Sequence, residues 1–184
     1  MLEECGLRRG RDWQALPINI GTGDQFQPDF LAISPNNKIP ALVDPHGPDG
    51  APISLFESGA MLLYLAEKTG QFLPEDTPKA RGELLSWLMF VASGIGPFTG
   101  QCVHFRHYAP EPIPYALNRY DFEAWRHWNI IEAQLAKNKY MLGDTYTIVD
   151  MNVWGWARLM PNVLGEGAWA KFPNLKRLVD EVSA

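Results

Sequence analysis

Cysteine is nearly absent: Cys5 and Cys102 are the only two in 184 residues. They form no redox pair motif and no metal-type spacing, which excludes a disulfide framework and a cysteine zinc site. Two free thiols fit a reducing cytoplasm. Long apolar runs are also missing. The longest, Ala60 to Ala66, is far short of the roughly 20 residues that cross a bilayer, so no membrane association is expected. Positive charge is scarce. Lys and Arg number 16 against 21 Asp and Glu, for a net charge of −5. That balance argues against nucleic acid as a partner. Met1-Leu2-Glu3-Glu4 is acidic where a secretory leader starts basic, and no leader is expected. What the chain has in quantity is apolar surface. At 46% hydrophobic residues it can bury a core in one large domain or two small ones. Four of its tryptophans, Trp87, Trp125, Trp128 and Trp154, fall in segments of helical spacing, where core packing is their expected task.

The first part of the chain mixes periods. Met1 to Leu7 reads as the end of a helix closed by Gly6. Trp13 to Ile20 alternates, with Leu16, Ile18 and Ile20 on one side, and predicts a strand. Gly21 to Asp24 is a loop, and Pro28 to Ile33 a short helix with Phe30, Leu31 and Ile33 turned inward. Pro40 stands where a strand tolerates proline, at its start, and it pushes Ile39 toward extended geometry. Two short apolar runs, Ala41 to Val43 and Ile53 to Phe56, flank the turn residues Asp44-Pro45-His46-Gly47-Pro48-Asp49-Gly50, which predicts a hairpin. Glu57-Ser58-Gly59 then opens a helix with Ser58 as N-cap, and Gly70 closes it. That helix lacks a polar face, so burial on both sides is expected, against a sheet and against a second domain.

Gln71 to Pro78 holds prolines and acids without periodicity and reads as a linker. Beyond it the pattern is helical only. Ala80 to Val91 is followed by an expected kink or break at Gly94, Gly96 and Pro97. Tyr108 to Pro114 is a loop. Tyr115 to Lys137 is a long helix with Ala116, Tyr120, Ala124, Trp128, Ile131 and Leu135 on one face. Thr147-Ile148-Val149-Asp150 is a capping box with Asp in place of Glu, and Pro173 to Val182 is a last helix. The fold class is therefore α/β plus all-α.

An Ile-Pro, a hairpin, then Glu-Ser at a helix start resembles the glutathione site of the glutathione S-transferase superfamily. Gly23-Asp24-Gln25-Phe26, Asn37-Lys38-Ile39-Pro40-Ala41-Leu42 and Phe56-Glu57-Ser58-Gly59 are similar to the nu class, which resembles glutathione-dependent disulfide-bond reductases. The resemblance implies a thioredoxin-like glutathione-binding domain over 1–72 and an all-helical domain over 79–184. It implies a homodimer, with the first domain of one subunit facing the helical domain of the other. It implies glutathione and a small disulfide or electrophile as substrates, and no metal.

Residue by residue, the resemblance implies a cis Ile39–Pro40 bond whose Ile39 backbone pairs with the cysteinyl part of glutathione. Ser58 would bind the γ-glutamyl carboxylate and Glu57 its ammonium. Gln25 and Lys38 would contact the glycyl end or backbone, and Arg119 would reach in from the helical domain. Gln101, His104 and Tyr108 would line the second-substrate pocket. Read alone, Lys38 is a loop lysine, Arg119 a surface arginine and Cys102 a small buried hydrophobe. His104 and His107 have metal-like spacing without a third ligand, so aromatic lining is the expected role. In the family a strand and the start of the first helix precede the sequence like Leu2-Glu3-Glu4, so the first domain is expected to be incomplete. The thiol-activating group would sit in that segment, and no catalytic residue is assigned. The alternative function is a glutathione-binding or truncated form without turnover.

Overall fold

The computed structural model describes residues 1–184, which divide into two compact units, Met1–Gln71 and Phe72–Ala184. The first opens on a helical turn ended by Gly6 in the left-handed region, φ 75°. Leu7 N–H donates to Leu2 O at 3.1 Å and Gly6 N–H to Glu3 O at 2.8 Å, the two bonds that a glycine-closed helix end makes. The expected strand over Trp13 to Ile20 does not form. Trp13 makes one isolated bridge to Arg9, and Leu16 and Ile20 are 79% and 61% exposed. Alternation makes a strand only where a neighbour takes up its backbone groups, and the sheet has two strands that pair with each other alone. Pro17 also removes a donor from the segment.

Helix α1 spans Pro28–Leu31. Phe30 is its buried residue, while Leu31 lies exposed rather than inward. Strand β1 (Ala41–Asp44) pairs antiparallel with β2 (Ile53–Phe56), Ala41 opposite Phe56 and Asp44 opposite Ile53. The turn between them closes tightly at Gly47, where a Cβ would meet Ala51 O at 2.6 Å. Helix α2 follows over Ser58–Thr69 and ends at Gly70, φ 66°. Only Met61 and Ala66 are fully buried on it, and Leu62 through Leu65 are half-buried. The expected burial on both sides is therefore not found. Two four-residue strands cover only a strip of the helix.

A charged tie fastens the hairpin to α2. Asp44 accepts from Tyr64 Oη at 2.7 Å and from Lys68 Nζ, which also donates to His46 O at 2.7 Å. Lys68 first and Tyr64 second hold the Asp44 carboxyl at about 2, below its ordinary 3.8. A depressed carboxyl stabilises the fold above its ordinary value and loses that contribution as pH falls toward the folded value. The tie should thus be intact above about pH 5 and weaken between about pH 4 and 2. Solvent screens the partly exposed lysine, so the tie adds little to stability. A carbon-detected titration of Asp44 should show its midpoint near 2. Lys68→Met should move that midpoint back toward 3.8, and an unmoved midpoint would refute the tie.

The second unit is helical. Thr77 caps α3 (Pro78–Phe90), its Oγ1 accepting from Ala80 N–H at 3.1 Å. The chain does not break at the glycines. Val91–Ile95 forms a π-turn, and α4 (Gly96–Val103) continues into a second π-turn over His104–Tyr108. The wider turn, with Gly96 N–H bonded to Val91 O, admits Pro97 without ending the helical path. Helix α5 spans Pro114–Leu135 and buries Ala124, Trp128, Ile131 and Leu135. The Trp128 indole N–H donates to Thr99 Oγ1 at 3.2 Å.

Helix α6 (Ile148–Ala157) is buried over most of its length, so its free N–H groups must be satisfied locally. Ile148 N–H donates to Phe72 O, Val149 N–H to Thr147 Oγ1, and Asp150 N–H to Thr147 O. Phe72 thereby belongs with this unit and not with a linker. Asp150 is fully buried and accepts from Met141 N–H and Thr147 N–H at 2.8 and 2.9 Å. Burial pushes its carboxyl up, and these donors pull against that. Helices α7 (Met160–Leu164) and α8 (Pro173–Ser183) complete the unit. Glu132 of α5 caps α8, accepting from Asn174 N–H at 3.1 Å and Leu175 N–H at 2.8 Å.

Candidate functional site

The hairpin register sets the site. Ala41 faces Phe56, so Ile39-Pro40 and Glu57-Ser58 lie at the open end of the hairpin. The Ile39–Pro40 bond is cis, as the resemblance implied, and Ile39 is half exposed at 51%. Ser34, which sequence reading passed over, holds this loop from beneath. It is fully buried, and its hydroxyl donates to Lys38 O at 2.9 Å. Asn37 N–H donates to Ser34 O at 2.9 Å, with Asn37 in the left-handed region, φ 49°. Asparagine enters that region more readily than most residues, and that was the available signal. Lys38 itself is exposed.

Glu57, not Ser58, is the N-cap of α2, with Ser58 the first helical residue. The backbone of Glu57 is the cause. Glu57 sits at φ 69°, ψ 114°, a conformation that costs of order 1–3 kcal/mol in a residue with a side chain. No side chain caps this helix, and Glu57 O accepts only from Met61 N–H, at 3.0 Å. The amides at the start of α2 therefore remain open beside the Ser58 hydroxyl, where the helix dipole favours an anion such as a carboxylate. Gln25 shows a second unsatisfied group. Its Nε2 donates to Ile20 O at 3.4 Å, while its Oε1 is buried with no partner.

Residues 1–68 match the family model described as glutathione S-transferase, N-terminal domain, and residues 124–184 match that for the C-terminal domain. The chain is 48% identical over 157 residues to the disulfide-bond oxidoreductase YfcG of Escherichia coli (strain K12), covering 84% of this chain and 70% of that protein. The chain belongs to the glutathione S-transferase family. It is also 50% identical over 149 residues to the disulfide-bond oxidoreductase YghU of the same organism, covering 80% of this chain and half the length of that protein. Among solved structures, a Pseudomonas fluorescens glutathione transferase family member with two glutathione bound superposes with a TM-score of 0.90 at 40% identity. The match covers 100% of this chain and 81% of that one. The first unit is thus a thioredoxin-like glutathione S-transferase N-terminal domain with a small antiparallel sheet, and the second is the helical C-terminal domain.

The remaining expected site residues belong to the helical domain. Gln101, His104 and Tyr108 share an exposed face of α4 and its π-turn. His104 packs edge-on to Phe105, and His107 bonds Asn162 O at 2.7 Å. No group of three or more His, Cys, Asp or Glu is arranged for a metal. No helix is long and apolar enough to cross a membrane. Arg119 is on α5 and pairs with Glu123 at 2.6 Å. Cys102 is buried, its Sγ 3.4 Å from Val163 O, and burial pushes its thiol up. Cys5 is half-buried, its Sγ 3.7 Å from Thr69 Oγ1. Neither cysteine is presented as an open nucleophile.

Proposed function

We propose that this chain is a glutathione-dependent disulfide-bond reductase of the nu class, binding glutathione at the open end of the hairpin. The observation that carries the reading is the uncapped start of α2 beside the cis Ile39–Pro40 bond. There the γ-glutamyl carboxylate meets the α2 amides and the Ser58 hydroxyl, and Glu57 takes the ammonium. The Ile39 backbone pairs with the cysteinyl part. Gln25 offers its unpartnered Oε1 to a glutathione N–H, and Lys38 and Arg119 serve carboxylates as cations. Gln101, His104 and Tyr108 line the second-substrate pocket.

In the proposed chemistry the thiols come from glutathione. One glutathione thiolate attacks a sulfur of the substrate disulfide, forming a mixed disulfide and releasing one substrate thiolate. A second glutathione thiolate attacks the glutathione sulfur of that mixed disulfide. Glutathione disulfide leaves with the second substrate thiolate, so two glutathione are oxidised as one substrate disulfide is reduced. The shielding of Cys5 and Cys102 fits this division of labour. The same reading places the protein in the cytoplasm as a homodimer, and the exposed Met89 and Phe122 supply apolar surface for association.

In a second reading the same site binds glutathione without turnover. Calorimetry and a coupled assay with a model disulfide separate the two. Ser58→Ala should weaken glutathione binding by about 2 kcal/mol, the worth of a hydrogen bond to a charged group. Unchanged affinity would sink the placement of the γ-glutamyl end. Tight binding without glutathione disulfide formation would select the second reading.

A further inference from the structure

The cations of the first unit are not spread evenly. Met1–Gln71 carries nine Asp and Glu against five Lys and Arg, and three of those five are Arg8, Arg9 and Arg11. They make a basic spot on an otherwise acidic unit, and all three are exposed. Like charges this close repel one another, so something must hold the chain that carries them.

Asp12 is the centre of that support. Its Oδ2 accepts from Arg8 N–H at 2.9 Å, and its own N–H donates to Arg8 O at 2.8 Å. Arg11 N–H donates to the same carbonyl at 3.2 Å. Gly10, at φ 82°, donates its N–H to Trp13 O at 2.7 Å. The Trp13 indole N–H ties the loop back to Leu7 O at 3.3 Å. The arginine side chains then divide. Arg11 grips Asp12 with Nε at 2.8 Å and Nη2 at 2.6 Å. Arg9 lies over the Trp13 ring, 6.0 Å from its centroid, a contact that steadies a cation without cancelling its charge. Asp12 is the one acid in residues 8–13 and is paired with Arg11, while neither Arg8 nor Arg9 is paired with a carboxylate.

The loop is selective about which anion it suits. A compact phosphate is cradled by backbone N–H groups, but those of Arg8, Gly10, Arg11 and Asp12 are engaged within the loop. The Asp12 carboxylate at its centre also repels a compact dianion. A membrane surface takes up exposed aromatic rings, whereas Trp13 is half-buried under Arg9. A long polyanion would run on over the acidic remainder of the unit. A short run of carboxylates needs only guanidinium forks, which match each carboxylate with two N–H groups.

We propose that residues 8–13 form a docking loop for a short acidic segment of a partner protein, with Arg8 and Arg9 as its carboxylate contacts. The docking loop is independent of the glutathione reading.

A capped hexaglutamate peptide, titrated into the full chain and followed by NMR at the arginine Nε–H signals, tests this. It should bind at about 10 mM salt, and at least about fivefold more weakly at about 150 mM, as the Debye length shortens from ~30 to ~8 Å. Arg8→Gln with Arg9→Gln should raise its Kd at least about tenfold, since two charge-assisted contacts become neutral. Lysine at both positions should be intermediate, because it keeps the charge and loses the fork. Lys79→Gln, an exposed cation of the helical unit, should change nothing. Neither Arg8 nor Arg9 closes the loop through its side chain, so the Trp13 indole signal should stay in place in the glutamine pair. If the pair unfolds the loop, the two single glutamine variants, each about threefold weaker, carry the same reading. No binding at low salt, or binding that the glutamine variants leave unchanged, overturns the proposal. Tighter binding through the same arginines of a phosphoserine peptide, of phosphatidylserine vesicles or of oligouridylate also overturns it, each in favour of a different partner.

Discussion

Asp150→Ala should cost the helical domain about 4 kcal/mol, much of the 5–15 kcal/mol that holds a typical domain together. The carboxylate is fully buried and serves three donors: Met141 N–H at 2.8 Å, Thr147 N–H at 2.9 Å and Thr147 Oγ1–H at 3.1 Å. Alanine would leave two buried amides without partners, at about 1–3 kcal/mol each. The capping arrangement around Thr147 would lose a further ~1 kcal/mol. Few of these groups can turn to water, because α6 is buried along most of its length. Asn at this position should be intermediate, since its amide keeps one acceptor but aims two donors at neighbours that are themselves donors. Urea unfolding followed by circular dichroism measures the series. A loss below 1 kcal/mol for alanine would show that the box is ornamental to a helix held by packing alone.

That box was legible in the sequence because capping is local: Thr147 and Asp150 are three residues apart and meet whenever a helix starts between them. Gly6, Gly70 and the hairpin were legible for the same reason, each being set by residues within a few positions. The helical face Ala116, Tyr120, Ala124, Trp128, Ile131 and Leu135 was legible because period alone places it inward; the last four are buried and the first two half-buried. Trp13 to Ile20 was misread because a strand is a property of a pair, and alternation carries no information on whether a neighbour exists. The caps supplied by Glu132 to α8 and by Phe72 to α6 were invisible, since the partners are distant in the chain. At the site, Ile39-Pro40 and Glu57-Ser58 were readable as a resemblance. Their support was not: Ser34 looks like any loop serine until its hydroxyl is seen on Lys38 O. Gly94, Gly96 and Pro97 predicted a kink or break, and the chain passes them without a break through a π-turn.

Gly94 leads to the other large effect. An added Cβ there would lie 2.6 Å from His127 Cδ2 and 2.7 Å from Nε2, distances that real Cβ contacts do not reach. The ring cannot slide away cheaply. Phe90 and Phe98 pack against it, and its nitrogens are engaged by Glu123 O and Arg126. Gly94→Val should therefore cost about 3 kcal/mol from overpacking, and ~1 kcal/mol more if the imidazole gives up a hydrogen bond. Gly94→Ala should cost less, because about 1 kcal/mol of helix propensity works in its favour. Gly100, in α4, provides the control, since an added Cβ there meets no atom within 4 Å. Gly100→Ala should stabilise by about 0.5–1 kcal/mol for the same propensity reason. Opposite signs at these two positions in the same helical run would show that the closeness of His127, and not glycine's flexibility, is what selects Gly94. Stabilisation at both would mean that the ring has room to move and that Glu123 is held less firmly than its contacts suggest.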